Sequence, residues 1–260
     1  MAESLNLLLK NTVRVLVVDD EPVILQTLKD NFNFFPVYSI YTASSTSEAM
    51  SLLEGRAARY HVCIIDRGLN DVEGNEFYLM DKFRKNFPFV VITGKHDSEK
   101  GFECAEHGAK MVLSKGRSDF HNKLLRYVNF FALRNIICPG CHESPAPFVC
   151  RFMETLCGVR PYRVNELARA LKISGKSLRD AWMKYVGIGP KYSLCIFHLY
   201  SKVFEYIEGV GCKSKAANFG KHEEKITRDS LNNIERYRRY YSRNRKLIES
   251  FIRNRSRLID

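Results

Sequence analysis

Five short runs of consecutive apolar residues divide the first half of the chain: VRVLVV (13–18), VYSIY (37–41), HVCIID (61–66), FVVIT (89–93) and KMVLS (110–114). Between them apolar positions recur at helical spacing, at Val23, Leu25 and Leu28, then Ala49, Leu52 and Leu53, then Phe77, Met80 and Phe83. Runs that are apolar on both faces and alternate with helices predict a parallel sheet covered on each side, a doubly wound α/β domain. The segment from Arg117 to Asn135 predicts its closing fifth helix. The next stretch, CPGCHESPAP (138–147), holds three prolines and a glycine, which no helix survives. Beyond it the pattern is helical throughout, over about 148–157, 164–171, 175–186, 190–208 and a basic stretch at about 223–258. The expected organisation is therefore an α/β domain over 1–137, a linker over 138–147 and an all-α domain over 148–260.

The polar residues at the C-terminal ends of the apolar runs are Asp19 and Asp20, Asp66, Thr93 and Lys115. In an open parallel sheet that edge is where ligands bind. Phosphoryl transfer to a carboxylate needs a nucleophile, a divalent cation against the phosphoryl oxygens and a fixed positive charge opposite them. Asp66 is the candidate nucleophile. Asp19 and Asp20 supply hard oxygen ligands of the kind Mg²⁺ prefers, Lys115 supplies a point charge, and Thr93 supplies a hydroxyl for a phosphoryl oxygen.

The segments VLVVDDEP (15–22), IIDRGLNDVEG (64–74), VVITGK (90–95) and GAKMVLSKG (108–116) resemble the receiver domain of a two-component response regulator over roughly 12–134. The resemblance implies a flavodoxin-like fold, phosphorylation of Asp66 by a histidine kinase or phosphotransfer protein, and Mg²⁺ held by Asp20, Asp66 and the Gly68 carbonyl, with Asp19 acting through a water. It makes Thr93 the switch hydroxyl and Lys115 the phosphate partner. Three positions depart from the family pattern: Gly116 replaces a proline after the lysine, Val112 an aromatic three residues before it, and Asn70 a proline in the loop after the acceptor.

Charge separates the two halves. Residues 1–137 hold 17 Lys and Arg against 17 Asp and Glu, so the whole formal net charge of +12 falls on residues 138–260. That asymmetry points to a polyanionic partner for the second half, nucleic acid before any other. The segment 164–209 has the pattern of a helix-turn-helix: Leu167, Ala168 and Leu171 on one helix, a turn at Ile173 and Ser174, and Leu178, Trp182 and Tyr185 inward on the next, which Ser174 caps. Its outward residues Gly175, Lys176, Ser177, Arg179, Asp180 and Lys184 are the candidate groove-facing set. The segment resembles the first helix-turn-helix of the arabinose-regulator (AraC) family over about 148–209, including Gly187, Pro190 and Tyr192 at the head of the linking helix. The family's second helix-turn-helix matches 209–225 poorly. In RYRRYYSRNRKLIESFIRNRSRL (236–258), Arg236, Arg238 and Arg239 are further candidate phosphate contacts. The combined reading is a DNA-binding response regulator, a signalling switch and not a metabolic enzyme, with a homodimer compatible with it. The rival reading keeps the receiver and makes the helical half a protein-interaction module.

No apolar run approaches the ~20 residues that span a bilayer, and the N-terminus lacks a secretory leader, so a cytoplasmic location without membrane insertion is expected. Of the eight cysteines, Cys63, Cys150 and Cys157 read as small core hydrophobes, and no disulfide framework is expected. Cys138-Pro-Gly-Cys141-His142 matches a haem-attachment sequence and, with Cys150, offers thiolates for zinc. Haem attachment needs export and zinc a second pair, so the segment reads as a turn-forming linker with incidental thiols.

Overall fold

The computed structural model describes residues 13–35, 37–54, 57, 60–69, 76–94, 98–138, 147–161, 163–186 and 189–211. The chain forms two compact units, divided between Ser144 and Pro145.

In the first unit five strands, β1 (Val13–Val18), β2 (Tyr38–Ala43), β3 (Val62–Asp66), β4 (Phe89–Thr93) and β5 (Ala109–Ser114), form one parallel sheet in the order β2-β1-β3-β4-β5. Helices α1 (Pro22–Asn33), α2 (Thr46–Leu53), α3 (Glu76–Phe83), α4 (Ser98–Glu106) and α5 (Phe120–Ile137) fill the connections. This is the flavodoxin-like doubly wound arrangement, and its order reverses between β1 and β3. The central strands are long apolar runs because both faces are covered. Leu16, Val18, Cys63, Ile65, Phe89 and Val91 pack on one side with Ala49 and Leu53 of α2 and Leu79, Met80 and Phe83 of α3. The alternate residues Val15, Val17, Val62, Ile64, Val90 and Ile92 are equally buried, and α1 and α5 pack against the sheet.

Several of the polar groups that enter this interior are paired across it. His61 Nδ1 accepts the Arg14 N–H at 3.0 Å, Asn135 Nδ2 donates to the His61 carbonyl at 3.1 Å, and the Tyr38 hydroxyl donates to Asn129 Oδ1. Gly108, at φ +93, makes the tight entry into β5 with the Arg84 side chain directly over its Cα.

The second unit is helical over its described residues: α6 (Pro147–Val159), α7 (Val164–Ala170), α8 (Gly175–Val186) and α9 (Pro190–Gly211). Its core is aromatic. Trp182 is fully buried and stacks on Phe152, with ring centroids 3.4 Å apart, and its indole N–H donates to Ser193 Oγ at 2.7 Å. The α7–α8 turn closes as a Schellman motif, with the Ile173 N–H on the Ala168 carbonyl and the Lys172 N–H on the Arg169 carbonyl, both at 3.0 Å. Lys172 holds the left-handed position at φ 57, and Ser174 Oγ then caps α8 by accepting the Ser177 N–H at 3.0 Å.

Several expectations are corrected. Cys138 is disulfide-bonded, whereas no disulfide was expected there; Cys141 and His142 lie outside the described residues. Cys63 is buried as expected, but Cys157 is exposed and Cys150 only half-buried, because the inward stripe of α6 runs through Val149, Phe152, Met153 and Leu156. Tyr185 is exposed, since the inward face of α8 is already filled by Leu178 and Trp182. Val23 is likewise exposed, and α1 buries Leu28 and Phe32 instead.

Candidate functional site

Strand order brings the ends of β1 and β3 side by side, and the two acidic residues they carry face one lysine. Asp19 follows β1 directly, its N–H tied to the Ala43 carbonyl at 3.1 Å, and its side chain is fully buried. Asp66 is the last residue of β3, also buried. Lys115, the first residue after β5, is anchored by its N–H to the Thr93 carbonyl at 2.8 Å. Its ammonium lies 2.8 Å from Asp19 Oδ2, 2.8 Å from Asp66 Oδ1 and 3.2 Å from Glu21 Oε1.

The remaining oxygens are also directed. Asp19 Oδ1 accepts the Glu21 N–H at 3.0 Å, and Asp66 Oδ2 accepts the Gly68 N–H at 2.8 Å. A β-carbon at position 68 would come within 3.2 Å of that same Asp66 oxygen, so glycine keeps that flank of the carboxylate open. Asp20 is half-buried in the turn beyond Asp19, and Thr93 is half-buried at the end of β4. The structure thus gathers Asp19, Asp66 and Lys115 into direct contact and leaves Asp20, Gly68 and Thr93 at the same sheet edge.

Burial raises the Asp19 carboxyl above the usual carboxylate range, against the opposing pull of Lys115. Burial works to lower Lys115, but its hydrogen bonds to Asp19 and Asp66 and their charges outweigh it and hold the ammonium above the usual lysine value. The cation is therefore fixed in place at any physiological pH. Among the described residues no three His, Cys, Asp or Glu side chains converge closely enough to enclose a metal ion. The donors at this edge nonetheless suit Mg²⁺, which takes only one or two carboxylates and keeps several waters.

Two residues here escaped the sequence reading. Glu21 contacts Lys115 across 94 positions of sequence, and only its adjacency to the acidic pair could have flagged it. Arg67, next to Asp66, pairs with Glu76 and, at 2.9 Å, with Glu103.

In the second unit Lys176, Ser177, Arg179 and Lys184 are all exposed on α8. Arg236, Arg238 and Arg239 lie outside the described residues.

Residues 15–125, within the five-stranded doubly wound unit, match the family model described as the response regulator receiver domain. Among curated proteins, the two-component response regulator ARR11 of Arabidopsis thaliana is 24% identical over 89% of this chain and 46% of its own length. The transcriptional regulatory protein KdpE of Mycobacterium tuberculosis is 32% identical over 42% of this chain and 48% of its own. The chain spans about half the length of these curated relatives. Among solved structures, a receiver domain protein from Clostridium thermocellum matches at 22% identity and TM-score 0.42, over 47% of this chain and 96% of that one. The chemotaxis protein CheY4 of Vibrio cholerae matches at 27% identity and TM-score 0.39, over 45% of this chain and 98% of that one. Among the described residues no helix is long and apolar enough to cross a membrane.

Proposed function

We propose that the chain is a phosphorylation-controlled response regulator whose acceptor is Asp66. The observation that carries the reading is the Lys115 ammonium held between the Asp19 and Asp66 carboxylates at the sheet's switch point. Asp66 attacks the phosphorus of a phosphohistidine on a histidine kinase or phosphotransfer protein. A bond forms from an Asp66 carboxylate oxygen to phosphorus as the phosphorus–nitrogen bond breaks, and imidazole leaves with its electron pair. Lys115 pairs with the negative charge delivered to Asp66, and Thr93 presents its hydroxyl to a phosphoryl oxygen from the end of β4. Bound Mg²⁺, held by Asp20, Asp66 and the Gly68 carbonyl with Asp19 behind a water, would neutralise phosphoryl charge in transfer. The test is intact-mass measurement of the chain after a small phosphodonor and Mg²⁺: one acid-labile phosphoryl group is expected, absent in Asp66→Asn. Equal labelling of the variant would refute the assignment.

The second unit is read as a DNA-binding output domain resembling the AraC helix-turn-helix, so that the whole acts as a transcription regulator, as KdpE is named. The tight α7–α8 turn, the Ser174 cap and the exposed Lys176, Ser177, Arg179 and Lys184 support this, together with a net charge carried wholly by the second half. Selection of bound genomic fragments, with and without phosphodonor, tests it; retention without sequence preference would discard it. A protein-interaction role is the second reading, favoured by the exposed Met183 and Tyr185 on the same helix.

A further inference from the structure

Arg67 begins one residue beyond the acceptor, and its side chain turns away from the Lys115 pocket to join two helices. Its N–H extends the β3–β4 pairing by donating to the Ile92 carbonyl at 2.9 Å, which fixes the backbone directly after Asp66. Its guanidinium pairs through Nη1 with Glu76 of α3 and through Nη2 with Glu103 of α4 at 2.9 Å. The guanidinium carbon lies 4.6 Å from the centre of the Phe77 ring. That ring stacks in turn on His107 at 4.3 Å, and His107 Nδ1 lies 2.9 Å from Asp81 Oδ2. One side chain thus binds the acceptor's own loop, α3 and the C-terminal end of α4 into a single cluster.

The two ion pairs are unequal. Glu76 is 5% exposed, whereas Glu103 is 46% exposed, so water screens the α4 contact far more and it is the one that gives way first. Arg67 also has a donor in reserve: Nε is buried without a hydrogen-bond partner. The acceptor's charge already reaches this cluster, since Asp66 contributes to holding the Glu76 carboxyl above its usual range, behind the larger effect of burial.

We propose that Arg67 is the positioning residue that passes the charge state of Asp66 to α4, releasing Glu103 when Asp66 is phosphorylated. The proposal rests on Asp66 being the acceptor. Phosphorylation brings the residue before Arg67 to about two negative charges. The guanidinium is drawn toward that charge, keeps the buried Glu76, and gives up the half-exposed Glu103. Helix α4 then loses its tie to the acceptor loop. A lysine would not fill this part in the same way, because it lacks the planar guanidinium whose Nη1 and Nη2 hold Glu76 and Glu103 separately and whose face lies against the Phe77 ring.

The test is hydrogen exchange of α4 peptides in the full chain, with intact mass recorded on the same samples, for wild type, Glu103→Gln, Arg67→Gln and Arg67→Lys. In wild type, exchange at the C-terminal end of α4 rises about threefold on phosphorylation, the scale of one partly exposed ion pair. In Glu103→Gln, a near-isosteric surface change, exchange is already raised before phosphorylation and rises no further. Arg67→Gln and Arg67→Lys behave the same way while still gaining the phosphoryl mass. A wild-type chain that gains the mass with α4 unchanged would overturn the proposal, as would a wild-type response in Arg67→Gln. No mass gain in wild type would overturn the acceptor assignment itself, and this proposal with it.

Discussion

The ammonium of Lys115 and Oδ1 of Asp66 stand 2.8 Å apart, although one follows β5 and the other ends β3, two strands away in the sheet. The same ammonium meets buried Asp19 at an equal distance, so one cation serves two acids. Burial works against the charge of Asp19 and the Lys115 ammonium opposes it, because an unpaired charge buried away from water costs several kcal/mol.

Replacing Lys115 by Met leaves Asp19 and Asp66 facing each other without a cation. A fully buried pair would lose 3–5 kcal/mol, but the lysine side chain is 12% exposed, so a loss of about 1–3 kcal/mol is expected in urea unfolding. Millimolar Mg²⁺ should restore much of that loss in Lys115→Met and none in a Lys115→Met, Asp66→Asn double variant. A variant as stable as wild type without Mg²⁺ would contradict the shared-cation account.

The second unit has a convenient reporter, because Trp182 is the single tryptophan in the sequence. Ser193→Ala leaves its buried indole N–H without the acceptor 2.7 Å away, at a cost of about 1–3 kcal/mol. Urea unfolding followed by tryptophan fluorescence should show that loss. Ser193→Thr, which keeps the hydroxyl, should recover part of it.

At the α7–α8 turn, Lys172 occupies a backbone conformation that costs residues bearing a β-carbon about 1–2 kcal/mol. Glycine removes that strain but adds unfolded-state freedom, so Lys172→Gly should stabilise the helical unit by about 0.5–1 kcal/mol. Lys172→Val should destabilise it, since a branched β-carbon fits the left-handed region worst. The tryptophan signal reads both, and a destabilised glycine variant would show that the turn is not held by the motif described.

How much of this could be read in advance follows from the range of the interactions involved. Strands β1, β3 and β4 are uninterrupted apolar runs because both faces are covered, and their bounds agree with the sequence reading to within a residue. Strand β2 lies at the sheet edge, so its polar Tyr41 and Thr42 blurred its end; it runs to Ala43 and not to Tyr41. The site's Asp19, Asp66 and Lys115 were legible because strand ends in a parallel sheet converge by topology alone. Arg67 and Glu21 were not, because a charged residue beside a strand end looks solvated until its partners, far off in sequence, are in place. Amphipathic spacing misplaced Tyr185 and Cys157 for a related reason: it gives the period of a helix but not the width of the face its neighbours cover.

The pH dependence of stability provides a check on the Arg67 cluster that does not involve phosphorylation. The Glu76 carboxyl is held above its usual range, chiefly by burial, with Arg67 opposing and Asp66 adding to the rise. The folded chain therefore binds this proton more tightly than the unfolded chain, whose glutamate titrates near ~4.3. Between that pH and the raised folded value the folded state carries the extra proton, so this group's contribution to stability falls as pH rises through the window and is flat above it. Glu76→Gln keeps an oxygen acceptor for Arg67 but has no proton to lose. Stability of wild type minus that of Glu76→Gln, measured by urea unfolding from pH 4 upward, should decline with rising pH and then level. A difference that instead grows with pH would mean that Arg67 holds Glu76 ionised more strongly than burial resists it.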